Sequence, residues 1–408
     1  MQSAAPGIAI NVFTTRNIIF FAAVFLMQWT LPRPAPADPL FLVVLYLSLL
    51  VNPAINSRLL VFFLLLMVWV LSAFVASIHV IEDPAVQFQL LAHSLMILIA
   101  FTGCLVSLSW GEREFLTFMK VYTASCCIAA CLGIAGFAGG FEMLTWDGRA
   151  SALFDEPIGF GAFLLPGVFA SMYFLSRGQG RFIFLAALGL CCIGVVLSFS
   201  RAAVFSLVVL APVYFLILNR NNLAKATAYL LIGLVIVGAI GAVSLLAFSG
   251  FQEKVMDRFT LAKPYDVGRM GRYNRYFLVL PLILDNPLGL GMLEFDKIFP
   301  EPIHDIFLGS FVNYGWLAGV AWILLTVLSF KIAFSNQRAT GSPVGLWLSF
   351  SILAQLPCAV LQQVEHWRHL WMLLGLLWGF KGRNFPAASQ SMGRPAFVAP
   401  PQWRMERP

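Results

Sequence analysis

Charged side chains are scarce in this sequence. Asp, Glu, Lys and Arg together make up 11% of its 408 residues, against about 25% in ordinary soluble domains, and that shortage excludes a soluble globular protein. Strand-length segments alternating polar with apolar residues are missing too, which excludes a transmembrane β-barrel. There is no phosphate-binding glycine loop, no dinucleotide fingerprint and no zinc-ligand spacing. Gly289-Leu290-Gly291 is too short for a phosphate loop and reads as a turn after Asn286-Pro287. Lys and Arg nowhere cluster with interleaved aromatics, so the net charge of +7 does not point to nucleic acid. The seven cysteines (Cys104, Cys126, Cys127, Cys131, Cys191, Cys192 and Cys358) all fall in apolar stretches. They read as small buried hydrophobes rather than a disulfide or zinc framework.

What the sequence has in abundance is long apolar runs: 60% of residues are hydrophobic and the mean hydropathy is +0.85. A bilayer core of about 30 Å takes roughly 20 helical residues per crossing. Apolar runs over residues 18–31, 39–52, 59–81, 86–109, 117–139, 157–176, 182–199, 202–218, 226–249, 306–330, 343–363 and 367–380 predict an all-α membrane protein of about twelve transmembrane helices. Arg201 divides the uncharged stretch between Arg181 and Arg220 into 19 and 18 residues. Each half crosses about 28 Å, so Arg201 is expected in a tight hairpin at a membrane face. At the N-terminus, Arg16, the apolar run and Ala35-Pro36-Ala37 resemble a cleavable signal peptide. Prolines 32, 34, 36 and 39 crowd the would-be cleavage site and favour an uncleaved first helix.

The distribution of Lys and Arg sets the orientation. Numbering the gaps alternately places Arg16, Arg58, Arg113, Lys120, Arg177, Arg181, Arg220, Lys225, Lys331, Arg338 and the basic tail on one side, which is therefore cytoplasmic. The other side receives Arg33, Arg149, Arg201, Arg368 and one long loop, residues 250–303, between the ninth and tenth spans. Of the acids, only Glu112, Glu114 and Glu406 fall on the cytoplasmic side. Polar chemistry thus concentrates on the outer face. The sequence divides into a polytopic region, residues 1–381, and a Pro-, Ser- and Arg-rich tail, 382–408, expected to be disordered.

Candidate functional groups follow from that face. Arg269, Arg272 and Arg275, spaced by three, share one side of a helix if the loop is helical there. They suit an anion such as phosphate, because a guanidinium donates paired hydrogen bonds and keeps its charge; the alternative is a solvated loop near lipid headgroups. Arg201 adds to the anion site or snorkels to the interface. His304, the loop's one histidine, either caps the start of the following helix or serves as a general base. His79 and His93, inside apolar helices, read as core polar groups. The polar string Gln362–His369 holds Glu365 and Arg368 as substrate contacts, or forms an ion-paired hairpin, or holds a metal through His366 and His369. Glu294-Phe295-Asp296 is the nearest approach to a metal-holding acid pair. An enzyme on this face meets neither nucleotide sugar nor ATP, so the energy for its reaction has to arrive in the substrate.

Several strings resemble the O-antigen ligase and polymerase family: Leu197-Ser198-Phe199-Ser200-Arg201-Ala202-Ala203, Gly271-Arg272 followed by Tyr276, Asn286-Pro287-Leu288-Gly289-Leu290-Gly291, and His304-Asp305 ahead of Asn313-Tyr314-Gly315. The likeness covers roughly residues 180–330; elsewhere only helix number and hydropathy match. Where the family usually has Asn after the loop histidine and Trp near position 276, this chain has Asp305 and Tyr276.

The resemblance implies a membrane glycosyltransferase in the bacterial inner membrane that needs no cofactor or metal. It would take a glycan from an undecaprenyl-diphosphate carrier and pass it to a hydroxyl acceptor, lipid A-core or a growing polysaccharide, on the periplasmic face. It implies catalytic roles for His304, Arg272 and Arg201, with Arg149, Arg269 and Arg275 on the phosphates and Asp305 orienting the histidine. Ligation and polymerisation both remain open. A transporter or flippase of the same lipid-linked glycan is the rival, and internal repeats and deep ionisable residues would mark it.

Overall fold

The computed structural model describes residues 6–31, 33–51, 56–224, 226–228, 231, 271–299 and 302–381. Most of the span expected over 226–249, the loop up to residue 270 and the tail 382–408 lie outside the described residues.

The architecture is all-α. Eight helices come first: α1 (Pro6–Leu26), α2 (Ala37–Leu50), α3 (Ser57–Ala76), α4 (Pro84–Leu108), α5 (Glu112–Gly139), α6 (Pro157–Ser176), α7 (Arg181–Leu197) and α8 (Arg201–Leu218). After residue 270 come α9 (Arg272–Asp285), a single turn α10 (Phe295–Ile298), α11 (Ile306–Tyr314), α12 (Trp316–Thr340), α13 (Pro343–Leu353), α14 (Leu356–Leu361) and α15 (Arg368–Gly379). The strands among the described residues are β1 (Thr145–Trp146) and β2 (Arg149–Ala150), an antiparallel hairpin between α5 and α6. Asp147 and Gly148, both at positive φ, turn it.

Seven helical segments among the described residues are long and apolar enough to cross a membrane: α3, α4, α5, α6, α8, most of α12 and the run 343–361. α1, α2 and α7 contribute shorter apolar stretches. Large apolar side chains such as Leu42, Tyr46, Phe182 and Val208 are exposed, as expected of a surface that faces lipid rather than water.

Several expected boundaries move. The first helix ends at Leu26, ahead of the prolines, and Arg16 lies within it, buried and hydrogen-bonded to Asn17 and Ser109. The expected span 306–330 is two helices, α11 and α12, broken at Gly315 (φ 88°). The segment expected over 367–380 forms α15, whose twelve residues are all buried. At about 18 Å it is shorter than a bilayer core. It packs along α4, where a Cβ on Gly375 or Gly379 would overlap the carbonyls of Ala100 or Cys104; in lipid such close helix contacts rest on small residues. His79 sits exposed in the turn after α3 rather than in a span. Cys131 is exposed and Cys127 and Cys192 are half-buried, since those faces of α5 and α7 point away from the bundle; all seven cysteines are free.

Tertiary contacts join loops that the charge pattern assigns to the same side. At one end Thr30 donates to the Leu153 carbonyl (2.8 Å), Arg33 pairs with Asp155, and the Met292 amide donates to Ser77 Oγ (3.0 Å). At the other, Arg16 meets Ser109 (2.8 Å) and Arg58 donates to the Leu377 carbonyl (2.6 Å). The first end gathers Asp38, Asp155, Glu156, Asp305 and Glu365 and is called the acid-rich end below.

Candidate active site

Two of the motif strings meet through their backbones. The turn 286–291 places Gly289 (φ 89°) against the break between α11 and α12, where a Cβ would lie 2.6 Å from the Gly315 amide nitrogen. Only glycine tolerates both that φ and that approach. The amides of Leu290 and Gly291 donate to the carbonyls of Val312 and Asn313 (2.8 and 3.0 Å), and Trp316 N donates to Pro287 O (2.9 Å). The clamp fixes α11 at its C-terminal end.

The other end of α11 carries His304 and Asp305. Asp305 is the N-cap: extended at φ −160°, it accepts from the Leu308 amide (2.8 Å). Burial pushes its carboxyl up from the usual range, and the Leu308 and Phe307 amides pull it part of the way back. α9 braces this segment. The buried Arg275 donates to the Pro302 carbonyl (3.0 Å), and the Tyr276 hydroxyl donates to the carbonyls of His304 (3.2 Å) and Val360 (3.4 Å). Arg272 opens α9, one turn ahead of Arg275 and Tyr276. Arg275, Tyr276, His304 and Asp305 are therefore brought together; Arg269 lies outside the described residues.

Arg201 begins α8, with three residues between it and the end of α7, so the helix break falls where the charge spacing put it. Ser198 Oγ accepts from the Ser200 amide (3.2 Å), Phe199 takes positive φ, and Ser200 caps α8 through the Ala203 amide (3.3 Å). Arg149 stands on β2 with its guanidinium carbon 6.0 Å from the Trp146 ring centroid, and β2 packs on α5, α6 and α7.

The string after α14 splits into two groups. Arg368 makes a two-pronged ion pair with Asp38 (2.5 and 2.8 Å), both buried, tying the start of α15 to that of α2. Glu156, just ahead of α6, accepts from Gln362 (2.6 Å) and Trp367 (3.2 Å), with His366 Nε2 at 3.6 Å. Facing the other way, Glu365 is reached by the Tyr314 hydroxyl (3.5 Å), which also meets His93 Nε2 (3.0 Å). Burial pushes the Glu365 carboxyl up. These three residues line a cavity of about 210 Å³ together with Gln89, Asn313 and Gln363. Among the described residues no group of three His, Cys, Asp or Glu is arranged to hold a metal ion, and Glu294 is ion-paired with Lys297 (2.6 Å).

Sequence reasoning passed over Asp38, Glu156 and Tyr314. An acid within two residues of the start of an apolar run, as at Asp38-Pro39 and Glu156-Pro157, was the available signal. Tyr314 was read only as part of a motif string.

Fold and site together define a multi-pass helical membrane protein with arginines, a histidine and buried carboxylates at one end. The family model described as O-antigen ligase matches residues 185–323, from α7 into α12. Residues 185–323 thus form an O-antigen ligase domain, and proteins of that family are glycosyltransferase-like membrane enzymes acting on lipid-linked glycans. No curated protein matches the chain.

Proposed function

We propose that the protein transfers a glycan from an undecaprenyl-diphosphate carrier to a hydroxyl acceptor, at the periplasmic face of a bacterial inner membrane. The observation that carries this reading is the seating of His304: the Tyr276 hydroxyl holds its carbonyl from a helix that also bears Arg272 and Arg275. A proton acceptor and fixed positive charge then serve the two ends of one reaction. The acceptor oxygen bonds to the anomeric carbon while its proton passes to the His304 imidazole. The bond from that carbon to the phosphate oxygen breaks, and its electron pair leaves with the diphosphate. Arg201 and Arg272 stabilise the developing charge in a water-poor site, while Arg149, Arg269 and Arg275 hold the phosphates. The arginines supply the charge a metal ion supplies in other transferases. A single in-line displacement inverts the anomeric centre.

Asp305 positions His304 by capping α11. Arg368, joined to Asp38, fixes the frame around the substrate contact Glu365. Residues 1–381 form the working unit, and the tail 382–408 is dispensable.

Ligation and polymerisation are the same chemistry with different acceptors, lipid A-core or a second lipid-linked glycan. The test is reaction of the purified protein with undecaprenyl-diphosphate glycan and each acceptor in turn. Transfer to lipid A-core alone assigns a ligase, chain growth without it assigns a polymerase, and vesicle translocation without transfer would replace both with a flippase. Orientation is checked separately by reporter fusions. A periplasmic phosphatase fused near residue 280 should be active and one fused near residue 222 silent; the reverse pattern would turn the protein over.

A further inference from the structure

The cavity lined by Glu365, proposed above as a substrate contact, is left unused by the bond-making steps. It is enclosed by α4, the C-terminal end of α11, the segment 292–296 and the segment 363–366, with Arg33 at its rim. Glu365 and Asn313 are each only 6% exposed, and Glu365 Oε2 and Asn313 Oδ1 are buried acceptors that no protein donor meets. Leaving such an atom unpaired in a low-dielectric interior is costly, and native proteins rarely carry that cost without a reason. The same Glu365 is otherwise well held: Trp371 Nε1 donates to its carbonyl (2.8 Å), and Tyr314 reaches its other oxygen (3.5 Å).

We infer that this cavity is a binding subsite for a neutral, hydroxyl-rich sugar unit of the glycan. A sugar hydroxyl is both donor and acceptor, so it satisfies the carboxylate and amide oxygens and also accepts from Gln89 or Gln363 on the wall. An anionic group fits poorly. Asp296 and Glu365 both face the space, while Arg33 is paired with Asp155 and His366, also on the wall, lies 3.6 Å from the Glu156 carboxylate. Burial pushes the carboxyls of Asp296 and Glu365 up, which again favours a neutral occupant.

The subsite lies at the far end of α11 from His304. Asn313 is nine residues further on, about 13 Å along the helix, a distance that a short oligosaccharide bridges. The cavity would thus grip a sugar one or more units away from the bond being made, and set the register of the glycan. This rests on the transfer reading above, and it leaves open whether the sugar belongs to the donor or to the acceptor.

The experiment uses the full-length protein in nanodiscs and three probes: sugar-free undecaprenyl diphosphate, undecaprenyl-diphosphate glycan extracted from the cells that make this protein, and that cell's acceptor glycolipid. Two variants bear on the cavity: Glu365→Gln, which keeps shape and removes charge, and Gln363→Trp, which fills the space from its half-buried rim. Both should leave binding of the sugar-free carrier unchanged. Each should weaken one sugar-bearing partner about tenfold, the size expected for losing one hydrogen bond to a charged group. A loss in donor affinity assigns the subsite to the donor glycan; a rise in acceptor KM alone assigns it to the acceptor. Unchanged donor affinity and acceptor KM in both variants would overturn the inference. If the sugar-free carrier fails to bind the wild-type protein, the diphosphate reading falls instead. Tenfold weaker binding of either glycolipid to the variants would still uphold the sugar subsite, and its absence would sink both.

Discussion

Two polar corners share the acid-rich end and are built in opposite ways. Where α9 meets α11, side chains reach mainly for backbone: Arg275 to Pro302, Tyr276 to His304 and Val360, Asp305 to the amide of Leu308. Where α2, α6 and α15 converge, side chains reach for one another: Arg368 for Asp38, Gln362 and Trp367 for Glu156. The first corner fixes the chain path and leaves the half-buried His304 at a helix mouth. The second neutralises its own charges under cover and holds three helices in place. On the proposed function, charged residues at this end of the bundle divide into those that act on a substrate and those that make the frame, and burial with a carboxylate partner, as in Arg368 and Asp38, marks the second kind.

The sharpest way to break that division is to remove the proposed acting groups. His304→Ala, Arg272→Ala and Arg201→Ala should each lower transfer per inserted molecule by about a hundredfold or more, with protein amount in the membrane near normal. Arg272→Lys should recover only part, because a lysine cannot donate as a fork. His304→Gln should stay inactive, since an amide hydrogen-bonds but takes no proton. Substantial transfer by His304→Gln would return that residue to a capping role and erase the contrast.

The framing corner should fail in the other currency, stability. Asp38→Ala or Arg368→Ala strands a buried charge, at a cost of about 3–5 kcal/mol. The expected outcome is a large drop in the thermal midpoint in detergent. Asp38→Leu combined with Arg368→Met should restore much of it, and transfer per folded molecule should survive. Lost transfer in a well-folded double variant would move Arg368 into the substrate site.

A smaller effect sharpens the comparison at Glu365, between the two corners. Burial raises its carboxyl in the folded protein above the ordinary value of 4.5. The folded state therefore holds the proton at pH values where the unfolded chain has lost it, and stability falls as pH rises from about 4.5 through the raised value. Glu365→Gln lacks this dependence. Unfolding measured from pH 4 to 8 should show the wild type losing ground to Glu365→Gln as pH rises; parallel curves would mean the carboxyl titrates alike in both states.

Some of this was legible in the chain and some was not. Membrane class followed from the shortage of charge and the length of the apolar runs, because a bilayer makes one uniform demand on every spanning segment. The break before Arg201 followed from counting residues on either side of one charge, and the family from short strings whose glycines and prolines have local causes. Gly289 belongs to such a string because its positive φ and its contact with Gly315 admit no side chain. What the sequence could not disclose depended on which faces meet. α15 has the composition of a span, and only its packing against α4 makes it a short enclosed helix. Arg368 looks the same in sequence whether it faces a substrate or, as here, Asp38, 330 residues away. The cavity between Glu365 and Asn313 arises from four segments far apart in the chain. Hydropathy and charge are properties of single residues summed along a line, so the sequence by itself determined how many apolar segments there are and which loops share a side. Burial and pairing are properties of surfaces brought together, so the tertiary structure alone decided which polar groups are held by one another and which are left to meet a ligand.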